Sequence, residues 1–158
     1  FIAFSKMPSL RSLGIGCKNV DDAALARLPD FPALRELTPI GFPDDGFRHI
    51  GRCRKLERLT CMYCRDTGDA ATEHISGLAI NYYYAGLTQI TDRSLEILGS
   101  MESLEQIDLY ECLKVTEAGL PFLARLPNLR EVHLDSLPGV TLEGTKVFRP
   151  GVHVFYST

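Results

Sequence analysis

A spacing of apolar residues recurs down this chain, and its clearest copy reads Leu104, Ile107, Leu109, Cys112, Val115, Leu120, Leu123. The same types return 25 positions later as Leu129, Val132, Leu134, Leu137 and Val140. They also stand 25 positions earlier, less faithfully, as Ala79, Tyr82, Tyr84, Leu87, Ile90, Leu95 and Leu98. Self-similarity at a period in the twenties marks a chain wound into stacked coils, because so short a unit cannot bury its apolar side alone and must lean on its neighbours. Further copies begin at Leu10, Leu34 and Leu56, so the starts 10, 34, 56, 79, 104 and 129 lie 24, 22, 23, 25 and 25 residues apart. Differences of that size belong in loops, since a one-residue slip inside a strand turns its buried side chains outward.

Each copy divides into two halves. The first, Leu-x-x-Leu-x-Leu, alternates with period two, as a short strand buried on one face must. The second, as in Val115-Thr116-Glu117-Ala118-Gly119-Leu120 followed by Leu123 and Leu126, has helical spacing, with Thr116 placed to cap the helix start. Pro8, Pro32 and Pro127 stand just before strands, where a helix has already ended. Pro39 falls inside the second strand, where it deletes a ladder hydrogen bond and is expected to interrupt that strand. Arg149–Thr158 reads as a last strand with Val152 and Val154 inward. Strand, turn, helix and return predict an α/β fold: a right-handed solenoid, or horseshoe, with a parallel sheet on the concave face and helices on the convex face. Six repeats and the terminal strand fill residues 1–158 as one domain. Phe1 and Phe4 fit the end of an earlier repeat, so the chain is expected to start in mid-repeat and to be a piece of a longer protein.

The phrases Val20-Asp21-Asp22-Ala23-Ala24-Leu25, Ile90-Thr91-Asp92-Arg93-Ser94-Leu95 and Val115-Thr116-Glu117-Ala118-Gly119-Leu120 carry a family resemblance. The chain resembles leucine-rich-repeat proteins of the cysteine-containing type, found in F-box substrate receptors and in bacterial repeat proteins built on a Val-Thr-Asp-Ala-Gly-Leu phrase. The last two repeats are also similar to those of mitochondrial ATP synthase coupling factor B, through Leu137-Pro138-Gly139-Val140. The resemblance implies a fold and a protein-interaction role. Its alternatives are the substrate-recognition part of an F-box-type ubiquitin ligase receptor, or a structural or assembly factor that buries its N-terminal edge in another chain. A mitochondrial location is one of the settings it brings in.

A formal net charge of −3 gives no basic face for nucleic acid. The most apolar window, Leu78 to Leu87, is broken by Asn81 and Gly86 and falls short of a membrane span. Cys61-Met62-Tyr63-Cys64 is a CxxC pair, which can hold zinc or exchange thiols. Aligned on Leu109 and Cys112, however, Cys61 takes a strand-leucine slot and Cys64 the family's cysteine slot, so both are expected to be buried as small hydrophobes, with no metal and no cofactor. Five cysteines without a compact pairing pattern favour reduced thiols and an intracellular, cytoplasmic compartment over secretion.

Outward strand positions line the concave face, and there a function would be written. The candidate binding residues are Tyr83, Asp108, Tyr110, His133, Asp135, His153 and Phe155, an aromatic and acidic patch of the composition that suits a protein partner. The run Tyr82-Tyr83-Tyr84 admits two registers, one with Tyr82 and Tyr84 inward and one with Tyr83 inward. His133 between Asp108 and His153 could be imagined as a metal or general-base cluster. No nucleophile elbow, phosphate loop or HExxH helix accompanies it, so no catalytic residue is assigned and the chain is read as a non-enzyme. His49 and His74, on helical or loop segments, read as surface residues.

Overall fold

In the computed structural model residues 7–158 are described, so the reading of Phe1 and Phe4 lies outside the described residues. Among the described residues seven strands form one open parallel sheet: β1 (Ser12–Gly16), β2 (Glu36–Ile40), β3 (Arg58–Cys61), β4 (Tyr82–Gly86), β5 (Gln106–Tyr110), β6 (Glu131–Asp135) and β7 (His153–Ser157). They stand in chain order, each paired with the strand before and after it. Between strands the chain returns through short helices: α1 (Asp22–Leu25), α2 (Phe47–Ile50), α3 (Asp69–Ile75), α4 (Asp92–Leu98) and α5 (Leu120–Ala124). The last return is the 3-10 turn Gly144–Val147. Strands sit ~4.8 Å apart and packed helices ~8–10 Å apart. A stack with strands on one side and helices on the other must therefore curve with the sheet inside, which makes an α/β repeat solenoid.

The core is a set of columns running across the coils. Leu34, Leu56, Ile80, Leu104 and Leu129 form one, Leu37, Leu59, Tyr83, Ile107 and Val132 the next, and Leu28, Ile50, Ile75, Leu98 and Leu123 line the helix side, all buried. Each such side chain taken out of water contributes ~1.5–3 kcal/mol, and none could be buried by a single coil.

The fourth coil settles the tyrosine register. Tyr83 pairs with Leu59 and Ile107 and is 1% exposed, whereas Tyr82 and Tyr84 face outward. The alignment at 25 residues, which put Ala79 in the leucine slot, is therefore displaced by one: Ile80 is buried and Ala79 is exposed. Packing explains the choice. Tyr83 is bulky, and its surroundings are small: Ala85 follows it in the strand, and Cys61, Cys112 and Thr72 surround its phenol, which hydrogen-bonds Thr72. Burial pushes the Tyr83 phenol well above its ordinary range.

Pro39 does not interrupt β2, which runs through it and pairs with β1 over its full length. The damage is confined to the other side. The β2–β3 ladder covers Glu36–Leu37 and resumes only at the Ile40–Met62 bridge. The Pro39 carbonyl still accepts from the Met62 amide at 3.0 Å, so one bond is lost where the proline has no N–H. The last strand keeps its expected faces but is displaced by two residues: Val154 and Tyr156 stand opposite Val132 and Leu134, and Val152, which also packs against the core, lies just before the strand. Tyr156 can take that slot because its hydroxyl reaches past the core to donate to the Val140 carbonyl at 3.1 Å.

A second set of columns is polar. At the start of the third helix the Asp69 carboxylate accepts from the Thr91 amide (2.9 Å), the Thr91 hydroxyl (2.7 Å) and the Ser94 hydroxyl (2.6 Å). Asp92 accepts from the Thr116 amide and hydroxyl at 2.8 and 2.6 Å, and Glu117 accepts from the Thr141 hydroxyl at 2.8 Å. Each carboxylate thus takes hold of the capping threonine one coil on, while that threonine caps its own turn: Thr91 accepts from the Arg93 amide and Thr116 from the Ala118 amide. These carboxylates join successive coils where apolar packing ends.

Candidate functional site

The sheet's outward side chains fall into three rows, set by the strand register. The first runs Glu36, Arg58, Tyr82, Gln106, Glu131, His153; the second Thr38, Thr60, Tyr84, Asp108, His133, Phe155; the third Ile40, Met62, Gly86, Tyr110, Asp135, Ser157. Asp108, Tyr110, His133, Asp135, His153 and Phe155 all lie on this face. Tyr83 does not: it is a core residue, and Tyr82 and Tyr84 stand on the face in its place.

The rows are knit by side-chain contacts. Tyr82 donates its hydroxyl to Asp108 Oδ2 at 2.8 Å, and the Gln106 amide reaches the same carboxylate at 3.1 Å. The Arg58 guanidinium lies 3.8 Å above the centre of the Tyr82 ring, a cation–π contact. Burial, followed by the neighbouring Asp108 carboxylate, pushes the Tyr82 phenol up. Further along, His133 stacks on Phe155 with ring centres 4.4 Å apart and planes 17° from parallel, and its Nε2 lies 2.7 Å from Glu131 Oε1. Asp135 accepts from the Ser157 hydroxyl at 2.5 Å. Phe155 remains 50% exposed and Tyr110 37%, so aromatic area is offered to solvent on β5 and again on β7.

The imagined cluster of Asp108, His133 and His153 does not assemble. His153 pairs with Glu131, one row away, because β7 is displaced by two residues, and His133 meets the Phe155 ring instead. Among the described residues no three His, Cys, Asp or Glu side chains converge as a metal site would require. Cys61 and Cys64 are both fully buried in the third coil. The Cys64 thiol donates to the Pro39 and Met62 carbonyls, and Cys112 does the same to the Ala85 carbonyl one coil back. Burial raises all three thiols, and that of Cys53 is pushed up to about 12.

Two features escaped sequence reading. His49 is buried rather than on the surface, with Nε2 2.8 Å from Asp22 Oδ1 and Nδ1 without a hydrogen-bond partner, because helix α2 turns it toward the neighbouring coil. His74 is exposed as expected. The carboxylate columns were also missed, although Asp69, Asp92 and Glu117 stand before Thr91, Thr116 and Thr141 at near-repeat spacing, a signal present in the sequence. No helix among the described residues is long and apolar enough to cross a membrane.

No protein-family model and no curated protein matches the sequence. Among solved structures the chain is similar to internalin C2 from Listeria monocytogenes, a leucine-rich-repeat protein, with a TM-score of 0.57 and 19% identity over 98% of this chain and 73% of that one. At that identity the likeness concerns the fold, and together with the seven-stranded parallel sheet it establishes that the chain folds as a leucine-rich-repeat solenoid.

Proposed function

We propose that the chain is a protein-interaction module that engages its partner through the sheet face, with Tyr82, Tyr84, Asp108, Tyr110, His133, Asp135, His153 and Phe155 as the contact surface. The observation that carries this reading is the contiguous run of exposed aromatic rings and carboxylates over β4–β7, where half-exposed Phe155 and Tyr110 offer anchor area beside Asp108 and Asp135. The mechanism is complementarity of shape and charge, without chemical turnover.

A cysteine-containing subgroup of the repeat family fits best, since Cys64 and Cys112 share a slot and tie each loop to the preceding strand through thiol donors. Those thiols work as donors only when reduced, which supports an intracellular workplace. Mass spectrometry of the protein from its source, finding these cysteines in disulfides, would overturn that placement.

The surface itself is tested by capture from a lysate with Tyr110→Ala and Asp135→Lys against Arg93→Glu on helix α4, whose side chain is exposed on the opposite side. Both sheet variants are expected to lose the partner and Arg93→Glu to keep it. Equal retention by all three removes the proposal.

A further inference from the structure

The sheet face carries a hollow at the C-terminal ends of β3–β5. Its floor is Gly86, and its walls are Met62, Tyr63, Tyr84, Leu87 and Tyr110. The space is about 60 Å³. Gly86 lets the Tyr84 ring lie directly against the strand at the edge of this space: a Cβ there would stand 2.5 Å from Tyr84 Oη and 2.8 Å from its Cε1.

Three observations give the hollow a chemistry. Its rim is negative, because Asp108 and Asp135 flank Tyr84 and Tyr110 across the strands, and Tyr110 hydrogen-bonds the Glu111 side chain. Over the three outward rows four carboxylates, Glu36, Asp108, Glu131 and Asp135, face a single Lys or Arg, and that one, Arg58, is already stacked on Tyr82. The Arg58–Tyr82–Asp108 arrangement is itself a filled version of the same device, a guanidinium on a tyrosine face whose hydroxyl is held by a carboxylate. Finally, Tyr63, at the edge of the hollow, is 58% exposed and takes the left-handed slot that Gly41, Leu87, Glu111 and Ser136 fill in the other coils.

We propose that this hollow seats the guanidinium of an arginine carried on a basic segment of a partner protein, between the Tyr84 and Tyr110 rings and against the Asp108–Asp135 rim. The inference rests on the sheet face being the interaction surface and names the chemistry that face selects.

The test uses the 158-residue chain and a short probe, N-acetyl-Gly-Arg-Gly-amide, beside its citrulline analogue, which keeps the shape and removes the charge. Binding is followed by the ring resonances of the tyrosines. The arginine peptide is expected to shift the Tyr63, Tyr84 and Tyr110 signals and to bind at least about five-fold more tightly than the citrulline peptide. Gly86→Ala drives the mobile end of Tyr84 into the hollow, and Tyr110→Leu removes one wall. Each should abolish that preference, with the thermal midpoint confirming that the variant is folded. Equal affinity for the two peptides, or a preference that survives both substitutions, overturns the proposal. A captured partner lost on Asp135→Lys but fully retained on Gly86→Ala keeps the sheet-face reading and overturns the hollow alone.

Discussion

Replacing Asp69 by alanine removes three hydrogen bonds at once, from the Thr91 amide, the Thr91 hydroxyl and the buried Ser94 hydroxyl. A bond to a charged acceptor contributes ~1.5–3 kcal/mol net, but Asp69 is only half-buried and water replaces part of what is lost, so about 1 kcal/mol each, or about 3 kcal/mol together, is the working figure. The same arithmetic gives about 2 kcal/mol for Asp92→Ala, which forfeits two bonds, and less for the exposed Glu117, which forfeits one. Urea denaturation at pH 7 should rank the three variants in that order. The pH dependence adds a second reading. Burial by itself would raise the Asp69 carboxyl, but the Ser94 and Thr91 donors outweigh it and hold the group below its ordinary 3.8. A depressed carboxyl contributes stability that is fully present above the unfolded value and disappears as pH falls through the lower folded value. The gap between the parent protein and Asp69→Ala should therefore be constant from pH 7 to about 5 and close below pH 4. A loss under ~1 kcal/mol, or curves that stay parallel down to pH 2, would refute the reasoning.

Three further outcomes are expected. An aromatic thiol reagent at pH 8 should label Cys17 first in the folded protein, because Cys53, Cys61, Cys64 and Cys112 are buried with raised thiols; rapid reaction of Cys61 would contradict the packing. Nitration followed by peptide mapping should modify Tyr63 and spare Tyr83, and the reverse pattern would restore the register with Tyr83 outward. Ser136 stands at φ 53, so Ser136→Gly should raise stability by up to ~1 kcal/mol in thermal unfolding, and an unchanged or lower midpoint would show that its side chain does more than tolerate the turn.

Much of the fold was legible because burial in a stacked coil is one-sided: Leu104, Ile107 and Leu109 each occupy a column that the next coil must continue, and the repeat is written in the residues themselves. The fourth coil was misaligned because a fixed offset of 25 placed Ala79 under Leu104, whereas the shortening lies in the loop, Thr88 to Ile90 being one residue shorter than Cys112 to Val115. The offset of 24 from Leu56, Leu59 and Cys61 leads directly to Ile80, Tyr83 and Ala85. The β7 shift was hidden for a different reason. Val152, Val154 and Tyr156 are all acceptable inward residues by hydropathy, and only the hydrogen bond from Tyr156 to Val140 distinguishes them. On the sheet face, outward position could be read from alternation, but which tyrosine stacks under Arg58 and which ring meets His133 depend on the register of three adjacent strands together.

The strand order has a consequence for synthesis. Each ladder joins residues about one coil apart, as Ser12 to Glu36 or Gln106 to Glu131, and nothing in the sheet waits for a distant segment. As the polypeptide leaves the ribosome, every newly emerged turn meets a template already laid down behind it, so assembly can keep pace with translation from the N-terminal side onward.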